Sequence, residues 1–209
     1  MPIEIPGPAY RICTRRLVVR CWHPADAPLL SEAVATSLDH LRPWMAWIRE
    51  EPKDLQRQID WLRQCRARFD LGQDLMYGIF NTDENLVIGG TGLHSRVGQN
   101  AYEIGYWIRA DAINKGLATE TAAALTKIAF EVDRVARVEI HCNPENVRSA
   151  AVPKKLGFTY EATLRQRLED HEGHWEDSMI WSLLAKEYPT SAAFQAELSA
   201  FDAAGRKIL

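Results

Sequence analysis

Asn114-Lys115-Gly116-Leu117-Ala118-Thr119 follows an apolar, strand-like run and opens a helical pattern. The first N–H groups of such a helix have no internal partner and carry the positive end of its dipole, so they form an anion site. Gly116 lets the backbone approach a phosphate with no Cβ in the way. Ala118 keeps the next turn small, and Thr119 adds a hydroxyl donor. An ordinary helix start is the competing reading. A second stretch begins at Asn146, passes Ser149 and closes at Gly157-Phe158. Asn146 can donate and accept toward an amide-rich arm, or it can simply cap its helix. The two stretches in this order point to a long phosphorylated cofactor.

These residues need strands and helices to position them. Arg16–Arg20 reads as a strand after an irregular arm over residues 1–14, and Pro24 starts a helix to about Leu38. Asp54 caps a helix to about Phe69, with Leu55, Ile59, Leu62 and Cys65 on one face. Leu75–Phe80, Leu86–Leu93 and Tyr102–Ile108 read as meandering strands, and Lys115–Val132 as a long helix. Val138–Cys142 is a strand and Asn146–Leu156 a helix ended by Gly157. Phe158–Leu164 and Trp175–Leu183 are strands, and Ala192–Ala204 reads as a terminal helix. Short turns imply antiparallel pairs and the strand–helix–strand unit a parallel one. The expected fold is α/β (α+β): a mixed, mostly antiparallel central sheet with helices on both faces.

The 209 residues suit one domain, with a core over about 15–186 and an appended arm and terminal helix. A net charge of −3 gives no nucleic-acid footprint. No run approaches the ~20 apolar residues of a membrane span, and no secretory signal is read at the start. Cys13, Cys21, Cys65 and Cys142 form no Cys-x-x-Cys pair and read as reduced thiols of a cytoplasmic protein. No metal-ligand spacing is read.

Four motifs then occur in order. They are Leu41-Arg42-Pro43-Trp44-Met45-x-Trp47, Glu103-Ile104-Gly105-Tyr106-Trp107-Ile108, Lys115-Gly116-x-Ala118-Thr119-Glu120, and Asn146-x-x-Ser149 through Lys155-Leu156-Gly157-Phe158. Over roughly Arg15 to Lys186 the chain resembles the GCN5-related N-acetyltransferase (GNAT) superfamily, nearest to the Rim-type ribosomal-protein alanine/serine N-terminal acetyltransferases. The resemblance implies acetyl-CoA (coenzyme A), with pyrophosphate on Asn114, Lys115, Gly116, Leu117, Ala118 and Thr119. It implies a pantetheine arm lying as a pseudo-strand beside Trp107, Ile108 and Arg109, with further contacts from Asn146, Ser149 and Lys155. Two positions depart from the superfamily pattern: Ile113 stands where Gln or Arg is usual, and Pro153 where many members place a Tyr as general acid for the leaving thiolate. Rim-type relatives point to Ser149 as the group that stabilises the leaving thiolate.

The implied reaction is direct acetyl transfer to a primary amine, a protein N-terminus or a small molecule such as an antibiotic. A catalytically idle CoA-binding module is the alternative from another class. Glu103 is read as the general base, or as a carboxylate paired with a nearby Arg. His94 is a secondary base candidate, or simply a hydrogen-bonded structural histidine, and the N–H near Ile108 would polarise the thioester oxygen. Trp44, Met45 and Trp47, with Glu103, are read as lining the acceptor pocket, or as a core cluster. The acidic loop Glu169–His174 would attract a cationic amine or serve as a solvated turn. A homodimer is expected from the resemblance and the aromatic strand Trp175–Trp181.

Overall fold

The computed structural model describes residues 7–209. Its strands are β1 (Arg11–Cys13), β2 (Leu17–Cys21), β3 (Leu75–Asn81), β4 (Val87–His94), β5 (Ala101–Ile108), β6 (Arg137–Cys142), β7 (Thr159–Glu169), β8 (Trp175–Leu184) and β9 (Ser199–Phe201). The helices are α1 (Ala27–Ala35), α2 (Leu38–Leu41), α3 (Leu55–Asp70), α4 (Leu117–Glu131) and α5 (Val147–Leu156). One sheet runs β7-β8-β6-β5-β4-β3-β2-β1-β9. Every described pair is antiparallel except β5 with β6. A parallel pair needs a crossover, and α4 supplies it.

Side-chain alternation along the strands divides the core between the two faces of the sheet. Leu125, Ile128 and Ala129 of α4 pack with Ile104, Ile108 and Ile140 on one face. Leu30 and Val34 of α1 and Leu62 of α3 pack with Val18, Phe80 and Val87 on the other. Asp54 caps α3 as expected: its carboxylate accepts the Arg57 N–H at 2.9 Å. Because α4 covers Ile104 and Ile108, the alternate residues Glu103, Gly105 and Trp107 face the α1/α3 side.

Three expected elements differ. The arm contains β1, which pairs with β2 and β9; its residues 1–6 lie outside the described residues. The first helix is broken at Thr36, whose hydroxyl donates back to the Glu32 and Ala33 carbonyls, while Ser37 accepts the Ala110 N–H. Short hydroxyl side chains compete with the helix in this way. The terminal helix does not form. One 3₁₀ turn at Ala192–Gln195 precedes β9, which pairs with β1 along the sheet edge. Pairing backbone groups at that edge overrides the helical propensity of the alanine-rich sequence.

Asp133, just after α4, carries a buried Oδ2 with no hydrogen-bond partner, and burial raises its pKa from 3.8 to about 7. The folded state therefore holds a proton that the unfolded chain has lost between those values, so stability falls as pH rises from about 4 to 7 and then levels off. Asp133→Asn removes this loss. Urea denaturation should find the variant more stable than wild type at pH 8, with the difference shrinking to nothing below pH 4.

Candidate active site

β5 and β6 share register only from Ala101↔Arg137 to Glu103↔Glu139. Beyond that they part, leaving the β5 edge from Ile104 to Ile108 without a strand partner on that side. The Arg109 N–H donates to the Ile88 carbonyl of β4 at 2.9 Å. By strand alternation, the N–H groups of Ile108 and Tyr106 turn the opposite way, into the gap. That edge can accept an extended, amide-bearing arm as an added strand.

At the mouth of the gap lies a cavity of about 460 Å³. Trp44, Met45, Trp47, Trp107, Glu103 and His94 are among its lining residues. Trp47 and Trp107 approach with ring centroids 5.9 Å apart, which places the early connection directly over β5. The Trp44–Trp47 segment thus forms a cavity wall as well as packing on the core. Glycines let aromatic rings lie against the cavity floor: a Cβ at Gly90 would come within 2.6 Å of the Trp107 ring nitrogen.

Glu103 is buried on this face, and both of its oxygens are engaged by Arg96, at 2.7 and 2.5 Å. Burial alone would raise its pKa, but the Arg96 hydrogen bonds and charge, aided by His141 and His94, hold it below the ordinary glutamate value. The Arg-paired reading therefore describes its contacts, and a carboxylate so engaged is a fixed anion rather than a ready proton acceptor. His94 projects beside it, with Nδ1 2.7 Å from Asp74 Oδ1.

At the far end of the gap, Gly116 precedes α4 in a left-handed conformation (φ 75°), and no side chain caps the helix. Asn114 is also left-handed (φ 61°), a conformation that Asn tolerates better than most residues. Asn114, Lys115 and Gly116 are exposed, so the leading N–H groups of α4 stand at an open surface. Arg16 braces this loop: Nη1 donates to the Lys115 carbonyl at 2.8 Å, and Nε donates to Glu120 at 2.6 Å. The Lys115 ammonium is turned back onto the Asp111 carbonyl.

Asn146 caps α5, accepting the Ser149 N–H at 3.0 Å, and also lines the cavity. Pro153 lies inside α5 and has no N–H for the carbonyl four residues earlier, which is that of Ser149. Tyr106, reaching across the gap from β5, fills the vacancy. Its hydroxyl is 3.1 Å from the Ser149 carbonyl and 3.2 Å from Ser149 Oγ. Burial raises the Tyr106 pKa well above its ordinary value, so the phenol stays protonated. Residue types alone did not single out Tyr106 as a site residue. The signal was available in Pro153, whose missing N–H leaves a carbonyl that some donor must satisfy.

Arg109 is engaged within the fold. Its guanidinium is bound to Glu32 and Asp111 and to the Val87 carbonyl, and its N–H belongs to β4. It ties the end of β5 to α1. Lys155 is exposed in the last turn of α5, and Ala118 and Thr119 are half-buried in the first turn of α4. The loop Glu169–His174 is a hairpin turn in which Asp170 accepts the Glu172 and His174 N–H groups, and Glu169 pairs with Arg49. Burial raises the thiol pKa of Cys21, Cys142 and Cys65, the last to about 12, which suppresses the thiolate form.

A mixed sheet whose two parallel strands part beside a bare helix N-terminus defines a class, and the sequence agrees. Residues 16–159 match the acetyltransferase (GNAT) domain family, and the chain belongs to it. It is an N-acetyltransferase whose relatives include Rim-type ribosomal-protein acetyltransferases. YdaF of Bacillus subtilis (strain 168) is 31% identical over 179 residues, covering 82% of this chain and 93% of that one. The ribosomal protein uS5 alanine N-acetyltransferase of Escherichia coli (strain K12) is 27% identical over 187 residues, covering 87% and 94%. Among solved structures, Mycobacterium smegmatis RimJ in complex with CoA-disulfide has a TM-score of 0.75 at 26% identity, covering 90% of this chain and 92% of that one.

Tyr106→Phe leaves the Ser149 carbonyl without its side-chain donor and should cost about 1–3 kcal/mol in urea denaturation. Pro153→Ala restores an N–H to that carbonyl. The double variant should therefore lose less than the sum of the two single variants, as a double-mutant cycle will read.

Proposed function

We propose that the protein transfers the acetyl group of acetyl-CoA to the α-amine of a protein N-terminus, by direct transfer within a ternary complex. The observation that carries this reading is the unpaired β5 edge, which leads from the bare start of α4 to a cavity walled by Trp44, Trp47 and Trp107. An extended cofactor arm can lie along the edge, and an acceptor chain can enter from the α1/α3 side. Binding of CoA by RimJ, and the action of the uS5 relative on a protein alanine, support the choice of cofactor and acceptor. No helix among the described residues is long and apolar enough to cross a membrane, which fits action in the cytoplasm.

Acetyl-CoA supplies the acetyl group as a thioester, already activated. Asn114–Thr119 would hold its pyrophosphate through backbone N–H groups, with Gly116 permitting close approach. The Ile108 and Tyr106 N–H groups along the gap would hold the arm and polarise the thioester oxygen. Tyr106 and Ser149 together offer the departing sulfur a hydroxyl pair, a role the superfamily often gives to a tyrosine at the position of Pro153. Glu103, held by Arg96 as a neutral ion pair, gives the acceptor side of the cavity a fixed polar wall. Exposed Tyr160, Leu164 and Trp175 on the β7–β8 hairpin give a homodimer an apolar surface to bury.

Incubation with acetyl-CoA and a panel of N-terminal peptides and small amines, followed by thiol release, tests this reading. Turnover with peptides beginning in Ala or Ser is expected; turnover confined to small amines would refute the protein acceptor. Gly116→Val forces a β-branched residue into a left-handed conformation at the cradle. It should weaken CoA binding by tenfold or more, ~1.4 kcal/mol or above in calorimetry.

A further inference from the structure

We infer that His94, oriented by Asp74, is the base that takes the proton from the acceptor amine. The inference rests on the acetyl-transfer reading above and adds the group that handles the proton. An N-terminal amine has an ordinary pKa of about 7.7–8.0, so much of it enters as an ammonium that cannot attack until it is deprotonated. Glu103 is poorly suited to the task, because Arg96 engages both of its oxygens.

The His94 geometry suits it. Asp74 precedes β3, and its Oδ1 lies 2.7 Å from His94 Nδ1. A carboxylate accepts, so Nδ1 carries the hydrogen and Nε2 keeps its lone pair. None of the hydrogen bonds among the described residues uses Nε2. The ring lies across the glycine floor of the cavity: Nε2 is 2.7 Å from where a Cβ on Gly92 would stand and 3.3 Å from one on Gly105. Gly105 sits on the cavity face just past Glu103, where β5 leaves β6. A substrate nitrogen seated over Gly105 is therefore within reach of Nε2 and beside the open β5 edge. Two small residues make that contact possible, because a side chain at either would displace the ring.

The charged and titratable groups sharing this cavity with the Asp74–His94 pair are Tyr77 on β3, Arg96 after β4, Glu103 and Tyr106 on β5, His141 and Cys142 on β6, and Glu50, Glu51 and Lys53 before α3. Arg96 is neutralised by Glu103, and Lys53 by Glu51 at 2.8 Å. The Asp74 carboxylate is thus the charged group bonded directly to the imidazole, and it fixes the orientation and tautomer of the ring.

In the step, the ammonium gives one proton to His94 Nε2. The freed nitrogen lone pair forms the bond to the acetyl carbon, and the carbon–sulfur bond breaks with its electron pair going to sulfur. A second amine proton ends on that sulfur by way of the Tyr106 and Ser149 hydroxyls. His94 then releases its proton to solvent, leaving amide, thiol and one proton.

The test pairs kinetics with a measurement on the free protein. With a peptide that wild type turns over, His94→Gln should lower kcat about 10²-fold, leave CoA affinity unchanged and lose the acidic limb of the kcat–pH profile. Asp74→Asn, which alters a positioning residue, should lower kcat at unchanged KM. Asp74→Glu should restore part of that rate. Independently of turnover, ¹⁵N NMR of histidine-labelled wild type should show His94 as the Nδ1–H tautomer. A His94→Gln variant with the wild-type rate and acidic limb, or an Nε2–H tautomer in wild type, would overturn the assignment. If wild type acetylates no amine, the transfer reading itself fails, and the NMR tautomer still judges the Asp74–His94 pair.

Discussion

β5 and β6 share only three register pairs before they diverge, and the site is built around that divergence. A backbone edge left open inside a sheet would ordinarily be a liability, since its N–H and C=O groups have lost their partners. Here the crossover helix α4 buries Ile104 and Ile108 on one face and fixes the strand that carries the open edge. Tyr106 spans part of the gap to reach α5, so the two sides are tied without being zipped. The same alternation that turns Ile104 and Ile108 toward α4 turns Glu103 and Trp107 toward the cavity. One strand thus gives the site both an open edge and a face.

Charge is distributed in the site by pairing rather than by leaving single ions buried. Glu103 with Arg96, Glu51 with Lys53, and Arg109 with Glu32 and Asp111 each neutralise one another near the cavity. A buried ion deprived of its partner would be costly. His94 Nε2 and the Tyr106–Ser149 hydroxyls are polar groups at the cavity that stand outside these ion pairs. Asp133 differs: half-buried, with one oxygen buried and without a hydrogen-bond partner, it sits on the loop after α4, outside the residues that line the site cavity.

Much of the framework was legible in the sequence because periodicity and punctuation agreed with it. Asp54, Gly116 and Gly157 mark helix ends as their types suggest, and the strands Leu75–Asn81 and Val87–His94 follow from apolar runs around a polar turn. The motifs around Gly116 and Asn146 located the gap without showing its geometry. Long-range partners were not legible. Nothing local to Ser199–Phe201 says that β1 is waiting for a strand. Arg109 looks like a cofactor ligand by position, but Glu32, 77 residues away, takes its guanidinium. The pairing of Glu103 was foreseeable in kind, though the identity of its partner was not. Tyr106 acquires its role from a proline on another element, a relation that spacing along one segment cannot express.

Arg16 links the β1–β2 hairpin to the loop before α4, and the link has a thermodynamic side. It stands at the turn into β2, with its guanidinium shared between the Lys115 carbonyl and Glu120. The loop Asn114–Gly116 is therefore held in shape by the β1–β2 hairpin as well as by its own backbone. A ligand that requires this shape binds only molecules in which the hairpin is docked, and it withdraws population from any in which the hairpin has opened. The affinity of the cradle and the local stability of the hairpin are then one shared quantity, set at two places far apart in the chain.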